Sequence, residues 1–390
     1  MTGVRAWTGR IGTFFTAMLL AACGGGGGGG GGGAPLPPPG PPAPVVFEKN
    51  RDSSGVPAPI LIETGGAAFD GKRVDSPAIV VDPARPDRFL LYYEAADQNN
   101  ANTIGVATSS SRTFGQTAIR GQVLGLGASG TGLDAAGLED PTVVLDTRPG
   151  MPRYRMWYEG RSGPFGEFAR IIASSSNDGV TWNAFQPTVG LEPGTAVSFA
   201  RVRVEDPVVV RDGDTFKMWF EAVDSVAPNG SDGPGRIGYA ESTDGIAWTV
   251  MDAQGRTGAA AGPVFGPGGP ADFDSVSVRA PTVVIDDEAF GSERFILFYE
   301  GATTFGEGDS RIGIAVSENG LDWRRFGTAA IGPSSEVGAF DDQALEHPSA
   351  FVDTSIAPTA TGRFVVYYGG DSTKGTPTRI GLARGRVSGP

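Results

Sequence analysis

The feature that most limits what this chain can fold into is a short phrase that occurs five times, at intervals of 64 to 74 residues. Each copy is a proline followed by an apolar run rich in β-branched residues. Proline is tolerated at the first residue of a strand, and such a run is typical of a strand buried on both faces. The five prolines are Pro77, Pro141, Pro207, Pro281 and Pro348.

Every copy continues in the same way. An aromatic run predicts a second strand, and a shorter apolar run predicts a third. Three copies then carry a Ser-x-Asp/Asn-Gly-x-x-Trp turn, a strong hairpin signal, which ends at Trp182, Trp248 and Trp323. Four antiparallel strands per unit are typical of a propeller blade. The sequence therefore predicts an all-β, five-bladed β-propeller.

The two ends of the repeat predict how the ring closes. The last copy stops after its third strand, near Arg384, whereas residues 45–48 resemble a free fourth strand. Residues 65–70 also resemble the inter-blade segments at 269–274 and 336–341. We expect the N-terminal strand to complete the last blade, because this pairing removes an exposed sheet edge. Residues 45–390 then form the propeller domain.

The first 44 residues do not resemble a blade. Arg5 and Arg10 precede an apolar run that ends in Leu-Ala-Ala-Cys at Cys23, as in a signal peptide. The pattern resembles bacterial lipoproteins, which implies a signal peptide over 1–23 and lipidation of Cys23. Residues 24–44 are a Gly/Pro-rich tether. We expect a protein of the bacterial cell envelope, facing the periplasm or the cell surface, that contacts the membrane only through Cys23.

The net charge limits the classes of partner, and the cysteine content limits the covalent cross-links. The formal net charge is −13, which argues against nucleic acid and anionic lipid surfaces. It fits a neutral ligand such as a sugar as well as it fits no ligand. Since the chain has one cysteine, it forms no intrachain disulfide. We expect a monomer.

The first strands of a propeller line its central channel, so the residues before the five prolines should meet at one channel mouth. Crowded carboxylates are costly unless some are protonated, paired or bound to a metal. We therefore predict a functional site there, although acidic residues near strand starts can also cap turns. The residues two before each proline are Asp75, Glu139, Glu205, Arg279 and Glu346. Those one before are Ser76, Asp140, Asp206, Ala280 and His347.

A second repeated pattern predicts structural ion pairs. Glutamates end four of the second strands, and arginines begin four of the third strands. Antiparallel neighbours predict cross-strand pairs within three blades. Glu94 lacks such a partner and is therefore a candidate to face a ligand. The predicted pairs are Glu159–Arg170, Glu221–Arg236 and Glu300–Arg311.

The proline-initiated strands, aromatic second strands and Asp-Gly-Trp turns together resemble the five-bladed β-propeller glycoside hydrolases, over residues 45–390. That superfamily includes the arabinanase/β-xylosidase-like, invertase-like and β-mannoside phosphorylase-like families. The resemblance implies a glycosidase acting on glycan or oligosaccharide at the channel mouth by inverting acid/base catalysis. In arabinanase-like members a base Asp, an acid-tuning Asp and an acid Glu occupy blades one to three, which by position are Asp75, Asp140 and Glu205. Ser76 holds the usual slot of the base, so Asp75 is displaced by one residue.

The resemblance also implies that His347 helps to hold a calcium ion in the channel; no other cofactor is expected. From the residues alone, His347 could instead bond to Glu346, Asp140 or Asp75, and Arg279 could pair with Glu205 or Glu346. Two alternatives to a hydrolase remain: a non-catalytic propeller that binds carbohydrate or protein, and a glycoside phosphorylase. The candidate substrate-binding residues are Glu94, Glu139, Asp206, Arg279, Glu346, Phe165 and Phe305.

Overall fold

The structure, a computed structural model, describes residues 45–115, 118–163, 168–225, 233–288, 291–305, 308–336 and 338–387. Cys23, the tether and Phe165 lie outside this range, so their predicted roles stay predictions. Within it, the chain forms five sheets of four antiparallel strands and a short 3₁₀ helix, Gly258–Ala260. None of the described helices is long and apolar enough to cross a membrane.

Each sheet is one blade. The strands of a blade are given below in order from the channel outward. Blade one contains β2 (Arg73–Val81), β3 (Phe89–Ala96), β4 (Asn102–Ser109) and β5 (Ile119–Leu124). Blade two contains β6 (Gly137–Leu145), β7 (Tyr154–Ser162), β8 (Phe168–Ser176) and β9 (Asn183–Pro187). Blade three contains β10 (Arg203–Asp212), β11 (Thr215–Val223), β12 (Gly235–Ser242) and β13 (Thr249–Val250). Blade four contains β14 (Ser277–Ile285), β15 (Phe295–Ala302), β16 (Arg311–Ser317) and β17 (Arg324–Arg325).

Blade five is built from both ends of the described chain. It contains β18 (Ala344–Val352), β19 (Phe364–Asp371) and β20 (Arg379–Arg386), and its outer strand is β1 (Val46–Lys49). β1 pairs antiparallel with β20, with Val46 opposite Arg386. The predicted fold, including closure by an N-terminal strand, is confirmed.

The innermost strand of every blade has a bulge at its proline. The residue before each proline takes a left-handed backbone, with φ between 42° and 50°. This conformation is uncommon for residues other than glycine and costs free energy. The pairing register shifts at the same point, as between Glu205 and Val208 in β10. A bulge leaves one residue outside the ladder, which accommodates a proline that has no N–H to donate. The left-handed residues are Ser76, Asp140, Asp206, Ala280 and His347.

Neighbouring blades are joined by their Asp-Gly turns. The indole Nε1 of Trp157 in blade two donates to the carbonyl of Gly245 in blade three, at 2.8 Å. Trp219 in blade three makes the same bond to Gly320 in blade four, also at 2.8 Å. In both cases the turn of one blade covers the buried aromatic second strand of the previous one. The repeated aromatics are thus part of the core.

Ion pairs at the far end of the first strands also join the blades. Asp286 directly follows β14, and its carboxylate binds Arg363 of blade five through two bonds of 2.7 and 2.8 Å. Both side chains are almost fully buried. The corresponding pair between blades three and four, Asp212–Arg294, is partly exposed. Asp82–Arg153 joins blades one and two and Asp353–Arg112 joins blades five and one, whereas Asp146 binds Arg148 within blade two.

A tyrosine–aspartate pair recurs in four of the five blades. In blade four, for example, the hydroxyl of Tyr299 donates to Asp274 at 2.8 Å. Blade three has Phe220 at the tyrosine position and Ala200 at the aspartate position, and both are buried. A hydroxyl and its acceptor have thus been lost together, which leaves no buried polar group unpaired. The other pairs are Tyr93–Asp70, Tyr158–Asp134 and Tyr368–Asp341.

The predicted cross-strand pairs between second-strand glutamates and third-strand arginines are wrong by one residue. Arg170 lies opposite Gly160, and Ile171 lies opposite Glu159. Arg236 and Arg311 likewise lie opposite Ala222 and Gly301. Because adjacent strand residues point to opposite faces, glutamate and arginine end on different sides of each blade. The glutamates are therefore free to reach the channel mouth.

Candidate functional site

The channel mouth widens into a cavity of about 810 Å³, here called the cup. Its walls come from the starts of the innermost strands, the ends of the second strands and the start of β4. Every side chain in its lining is ionisable or carries an amide. Blade five contributes a single residue, His347. The lining consists of Arg73, Glu94, Asn102, Glu139, Asp140, Arg161, Glu205, Asp206, Glu221, Arg279, Glu300 and His347.

The five bulges form a narrower ring under the cup, around a space of about 290 Å³. The left-handed residues and their prolines line it together. Asp140, Asp206 and His347 line both the ring and the cup, so they form the boundary between the two. Beyond the ring, the wall of the channel turns mostly apolar, with Ile79, Val143 and other residues of the innermost strands.

Arginines neutralise one part of the cup. Arg161 lies 2.5 Å from Glu139, 2.8 Å from Glu159 and 3.5 Å from Glu205. Arg203 approaches Glu205 as well, at 3.2 Å. Two cations beside one carboxylate stabilise its charged form. Glu205 is therefore held between two arginines.

Two other carboxyls of the cup hold a proton near neutral pH. Burial raises the pKa of Glu94 to about 8, with Glu139 and Asp140 adding to the rise and Arg73 opposing it. Burial also raises the pKa of Glu221 to about 7, although hydrogen bonding to its neighbours works in the other direction. The cause in both cases is the cost of burying a charge in a crowded acidic site.

Glu221 is connected to the floor of the cup. Its Oε2 accepts a bond from the backbone N–H of Ala280, at 3.4 Å. Its side chain also forms a hydrogen bond with Asp206. Burial, together with the charges of Asp140 and Glu221, raises the pKa of Asp206 well above its ordinary value. Asp206 and Glu221 thus form a carboxyl pair in which a proton is retained.

Asp140 has contacts of the opposite kind. The hydroxyl of Ser76 donates to its Oδ1 at 2.7 Å, and His347 Nε2 lies 3.8 Å from the same oxygen. Burial opposes a charge on the imidazole, but Asp75 and Asp140 raise the pKa of His347 well above its ordinary value. The Ser76 hydroxyl and the His347 imidazole thus both approach one oxygen of Asp140, which orients its carboxyl group at the cup floor.

Asp75 lies behind this group and is not in the lining of the cup. It is 2 % exposed, and its Oδ1 lies 3.5 Å from His347 Nδ1. Arg73 contacts the other oxygen at 3.2 Å. Burial opposes the charge, but His347 and Arg73 hold the pKa of Asp75 below its ordinary value. Asp75 is thus connected to the cup through His347 and Arg73, both of which line it.

The position of Asp75 is explained by blade five. Four second strands carry glutamate at one equivalent position, and three of these glutamates line the cup, but the fifth strand carries Gly369 there. A Cβ added at Gly369 would lie 2.3 Å from Asp75 Oδ1. The carboxylate of Asp75 thus fills the space that a second-strand glutamate occupies in the other blades. Blade one thus supplies a carboxylate where the second strand of blade five has no glutamate.

The remaining predicted residues are divided between the cup and other places. Glu139 lines the cup and accepts from Asn102 at 2.7 Å. Arg279 lines the cup and pairs with Glu300. Glu346 is 2 % exposed and lies outside the cup lining, and Phe305 is 47 % exposed and also outside it.

Sequence reasoning missed several cup residues: Arg73, Asn102, Arg161, Glu221 and Glu300. Three of these begin or end a strand just beyond the repeated core of a blade. The glutamates gave a signal, because they recur at one position of each second strand. That signal was assigned to cross-strand pairing.

The cup floor also has donors for a cation. Asp140, Asp206 and His347 offer ligand atoms that all lie within 4.8 Å of one another. Two carboxylates and an imidazole suit a divalent metal ion. Calcium prefers six to eight oxygen ligands, so these residues would supply only part of its shell. The calcium ion stays a prediction, and the residues present fit one as part of a shell completed by water.

No family model matches the chain. Two uncharacterized proteins of Mycobacterium tuberculosis, from strains CDC 1551 and H37Rv, are each 25 % identical over 276 residues. The match covers 68 % of this chain and 80 % of each relative. These relatives carry no described activity to compare.

Solved structures share the fold at low sequence identity. A glycoside hydrolase of the GH130 family of mannoside phosphorylases, which targets β-1,2-mannosidic linkages in Candida mannan, has a TM-score of 0.59 and 14 % identity over 87 % of this chain and 94 % of its own. The α-L-arabinofuranosidase PaAbf62A of Podospora anserina, solved with cellotriose, has a TM-score of 0.57 and 11 % identity over 84 % and 95 %. An N-acetylgalactosamine deacetylase of F. plautii, solved with blood group B trisaccharide, has a TM-score of 0.53 and 17 % identity over 84 % of this chain and 94 % of its own. The protein thus has the five-bladed β-propeller fold found in glycoside hydrolases.

Proposed function

We propose that this protein hydrolyses glycosidic bonds of a glycan or oligosaccharide in the cup. The observation that carries the proposal is the cup itself, whose lining is made entirely of ionisable and amide side chains. Sugars are recognised by such dense sets of donors and acceptors, whereas sites for apolar ligands are lined mainly by apolar groups. The fold of known glycoside hydrolases supports the same conclusion. Fold alone does not define an activity, so the residues of the cup must carry the mechanism.

Hydrolysis with inversion needs a carboxylic acid on one side of the bond and a carboxylate on the other. In our proposal Asp140 is the base, because it lines the cup and because Ser76 and His347 orient its carboxyl group. It takes a proton from water, whose oxygen attacks the anomeric carbon. Glu221 is the acid, because it lines the cup and retains its proton up to a pH of about 7. Its proton passes to the leaving oxygen as the glycosidic bond breaks.

Glu205, which the resemblance marks as the acid, takes a different role in this proposal. Its contacts with Arg161 and Arg203 keep it negative. A fixed carboxylate in the cup stabilises the positive charge that develops on the sugar ring in the transition state. Asp75 supports the base indirectly, since it holds His347 against Asp140.

The test compares two variants on two kinds of substrate. Glu221→Gln should lower kcat about 10²- to 10⁴-fold on natural glycosidic linkages, the usual contribution of general acid catalysis. It should leave the hydrolysis of nitrophenyl glycosides nearly unchanged, because a nitrophenolate leaves without protonation. Glu205→Gln should slow both substrates equally. If Glu205→Gln alone shows the selective rescue by nitrophenyl glycosides, Glu205 is the acid and our assignment is wrong.

A second candidate function follows from the cation donors at the cup floor. One structure with this fold is a deacetylase, and Asp140, Asp206 and His347 lie close enough to share a divalent ion. A metal ion there would supply a Lewis acid for removal of an acetyl group from a glycan. Release of acetate from acetylated oligosaccharides, abolished by EDTA and restored by a divalent metal, would favour this function. Release of reducing sugar in the presence of EDTA would exclude it as the main activity.

A further inference from the structure

A second cavity of about 700 Å³ lies at the seam between blades five and one, here called the seam pocket. Its walls come from the starts of β2 and β18, the end of β19 and the loop that joins β19 to β20. All of these lie at the same face of the propeller as the cup. The lining consists of Lys72, Arg73, Gln343, Asp371, Ser372, Gly375, Thr376, Pro377 and Thr378.

The seam pocket and the cup share one wall. Arg73 belongs to the lining of both cavities. Ion pairs with Asp75 and Glu94 fix its guanidinium in place. A chain-like ligand can therefore pass from one cavity to the other along a wall that is already ordered.

The seam is unusual because of blade five. Among the five second strands, only β19 carries no glutamate at the equivalent position, where it has Gly369. Cationic groups at this seam come from blade one, which places Lys72 and Arg73 in the same lining as Asp371. Electrostatic effects link the two cavities too: burial and Asp75 raise the pKa of Asp371, while Arg73 opposes the rise.

The chemistry of the seam pocket is that of a sugar site. It offers an ammonium group, an exposed amide, a carboxylate and several hydroxyls, and no aromatic or large aliphatic side chain. The Thr378 hydroxyl donates to Asp371 Oδ1 at 2.6 Å, which orients that carboxylate as an acceptor. Hydroxyl-rich ligands match such mixed donors and acceptors, whereas an apolar ligand would leave them unpaired.

We propose that the seam pocket is a second sugar subsite, so that the substrate is an oligosaccharide chain that extends from the cup past Arg73. The inference rests on the proposed glycosidase function for its catalytic consequence, although binding can be tested without catalysis. A chain bound in both cavities gains contacts that a single sugar lacks. Longer substrates should therefore be preferred.

The test fills the pocket. Thr376→Trp places a bulky side chain in the lining, and Lys374→Trp alters an exposed residue of the same loop outside the lining. The probes are manno-, arabino- and galacto-oligosaccharides of two to six sugars, together with nitrophenyl glycosides of the single sugars. For the wild type, kcat/KM should rise at least tenfold with chain length. Thr376→Trp should abolish that rise and leave nitrophenyl glycosides unchanged, and Lys374→Trp should change neither.

Several outcomes would overturn the proposal, and they can be told apart from failure of the glycosidase function. If nitrophenyl glycosides are cleaved but kcat/KM on the oligosaccharides does not depend on chain length, the subsite proposal alone is refuted. The same holds if Thr376→Trp lowers the activity on all substrates equally. Length-dependent binding in calorimetry, lost in Thr376→Trp and without any cleavage, supports the subsite and refutes hydrolysis. If calorimetry detects no binding of any of these oligosaccharides and none is cleaved, both proposals fail.

Discussion

Removing Arg363 should destabilise the propeller far more than removing an equivalent arginine elsewhere in the ring. Arg363 is 1 % exposed and forms two bonds to Asp286, one to Glu288 and one to the carbonyl of Ile356. Arg363→Met would leave the carboxylate of Asp286 buried without its cation. Breaking such a buried pair costs about 3–5 kcal/mol.

The loss can be converted into a melting temperature. Unfolding entropy is about 2.1 cal/mol/K per residue, so a propeller of roughly 340 residues has about 0.7 kcal/mol/K at its midpoint. A loss of 3–5 kcal/mol then lowers Tm by about 4–7 °C. The assay is thermal unfolding followed by circular dichroism, with urea unfolding as a second measure.

The matched control is Arg294→Met. Arg294 occupies the corresponding position between blades three and four, but its side chain is 34 % exposed and that of Asp212 is 24 % exposed. Partly exposed pairs contribute about 0–1 kcal/mol, so Tm should fall by only about 1 °C. The double variant Arg363→Met/Asp286→Asn, which removes both charges, should recover part of the loss. If Arg363→Met and Arg294→Met lower Tm equally, burial is not what gives this pair its value.

Three further predictions concern buried groups. Because the folded pKa of Glu94 is raised to about 8, its neutral form stabilises the protein at low pH, and this contribution is lost as pH rises from about 4.5 to about 8. In urea unfolding, Glu94→Gln should reduce the fall of the unfolding free energy over that range by up to about 1.4 kcal/mol per pH unit. Phe220→Tyr should lower the free energy of unfolding in urea by about 1–3 kcal/mol, because it buries an unpaired hydroxyl. Adding Ala200→Asp should restore most of the lost free energy; if it does not, the tyrosine–aspartate pairing described above is contradicted. Gly369→Ala should lower Tm by several degrees, because the new Cβ meets the carboxylate of Asp75, and a variant as stable as the wild type would show that Asp75 can move freely.

The fold could be predicted from the sequence because its signals are local and repeated. A proline before a β-branched run and an Asp-Gly turn before a tryptophan each determine a short piece of backbone. Five repeats of the same order then determine the ring. The unpaired strand predicted at residues 45–48 and the missing fourth strand after Arg384 together indicated how the ring closes.

The site was harder to predict because it depends on which way side chains point. The left-handed residue before each proline shifts the pairing register, and neither position before the proline lines the cup in every blade. Asp75 and Glu346 stand two residues before their prolines and lie outside the lining, whereas Glu139, Glu205 and Arg279 at the same position belong to it. Asp140 and Asp206, one residue later, reach both the cup and the ring beneath it.

The second-strand glutamates illustrate a different limit. Their recurrence was visible, but the register of β7 against β8 decides whether Glu159 meets Arg170, and that register depends on the whole blade. The absence of a glutamate at Gly369 was also visible. Its meaning required the position of Asp75, which lies almost 300 residues earlier in the chain and beside it in the ring.

The closing strand determines at which face of the propeller the N-terminal segment of the chain enters the fold. β20 starts at the face of the cup and ends at Arg386 on the opposite face, and Val46 lies beside Arg386. The described chain therefore enters the propeller from the side away from the cup. Since Cys23 precedes Val46 in the chain, the predicted lipidation site connects to the propeller at the face opposite the cup.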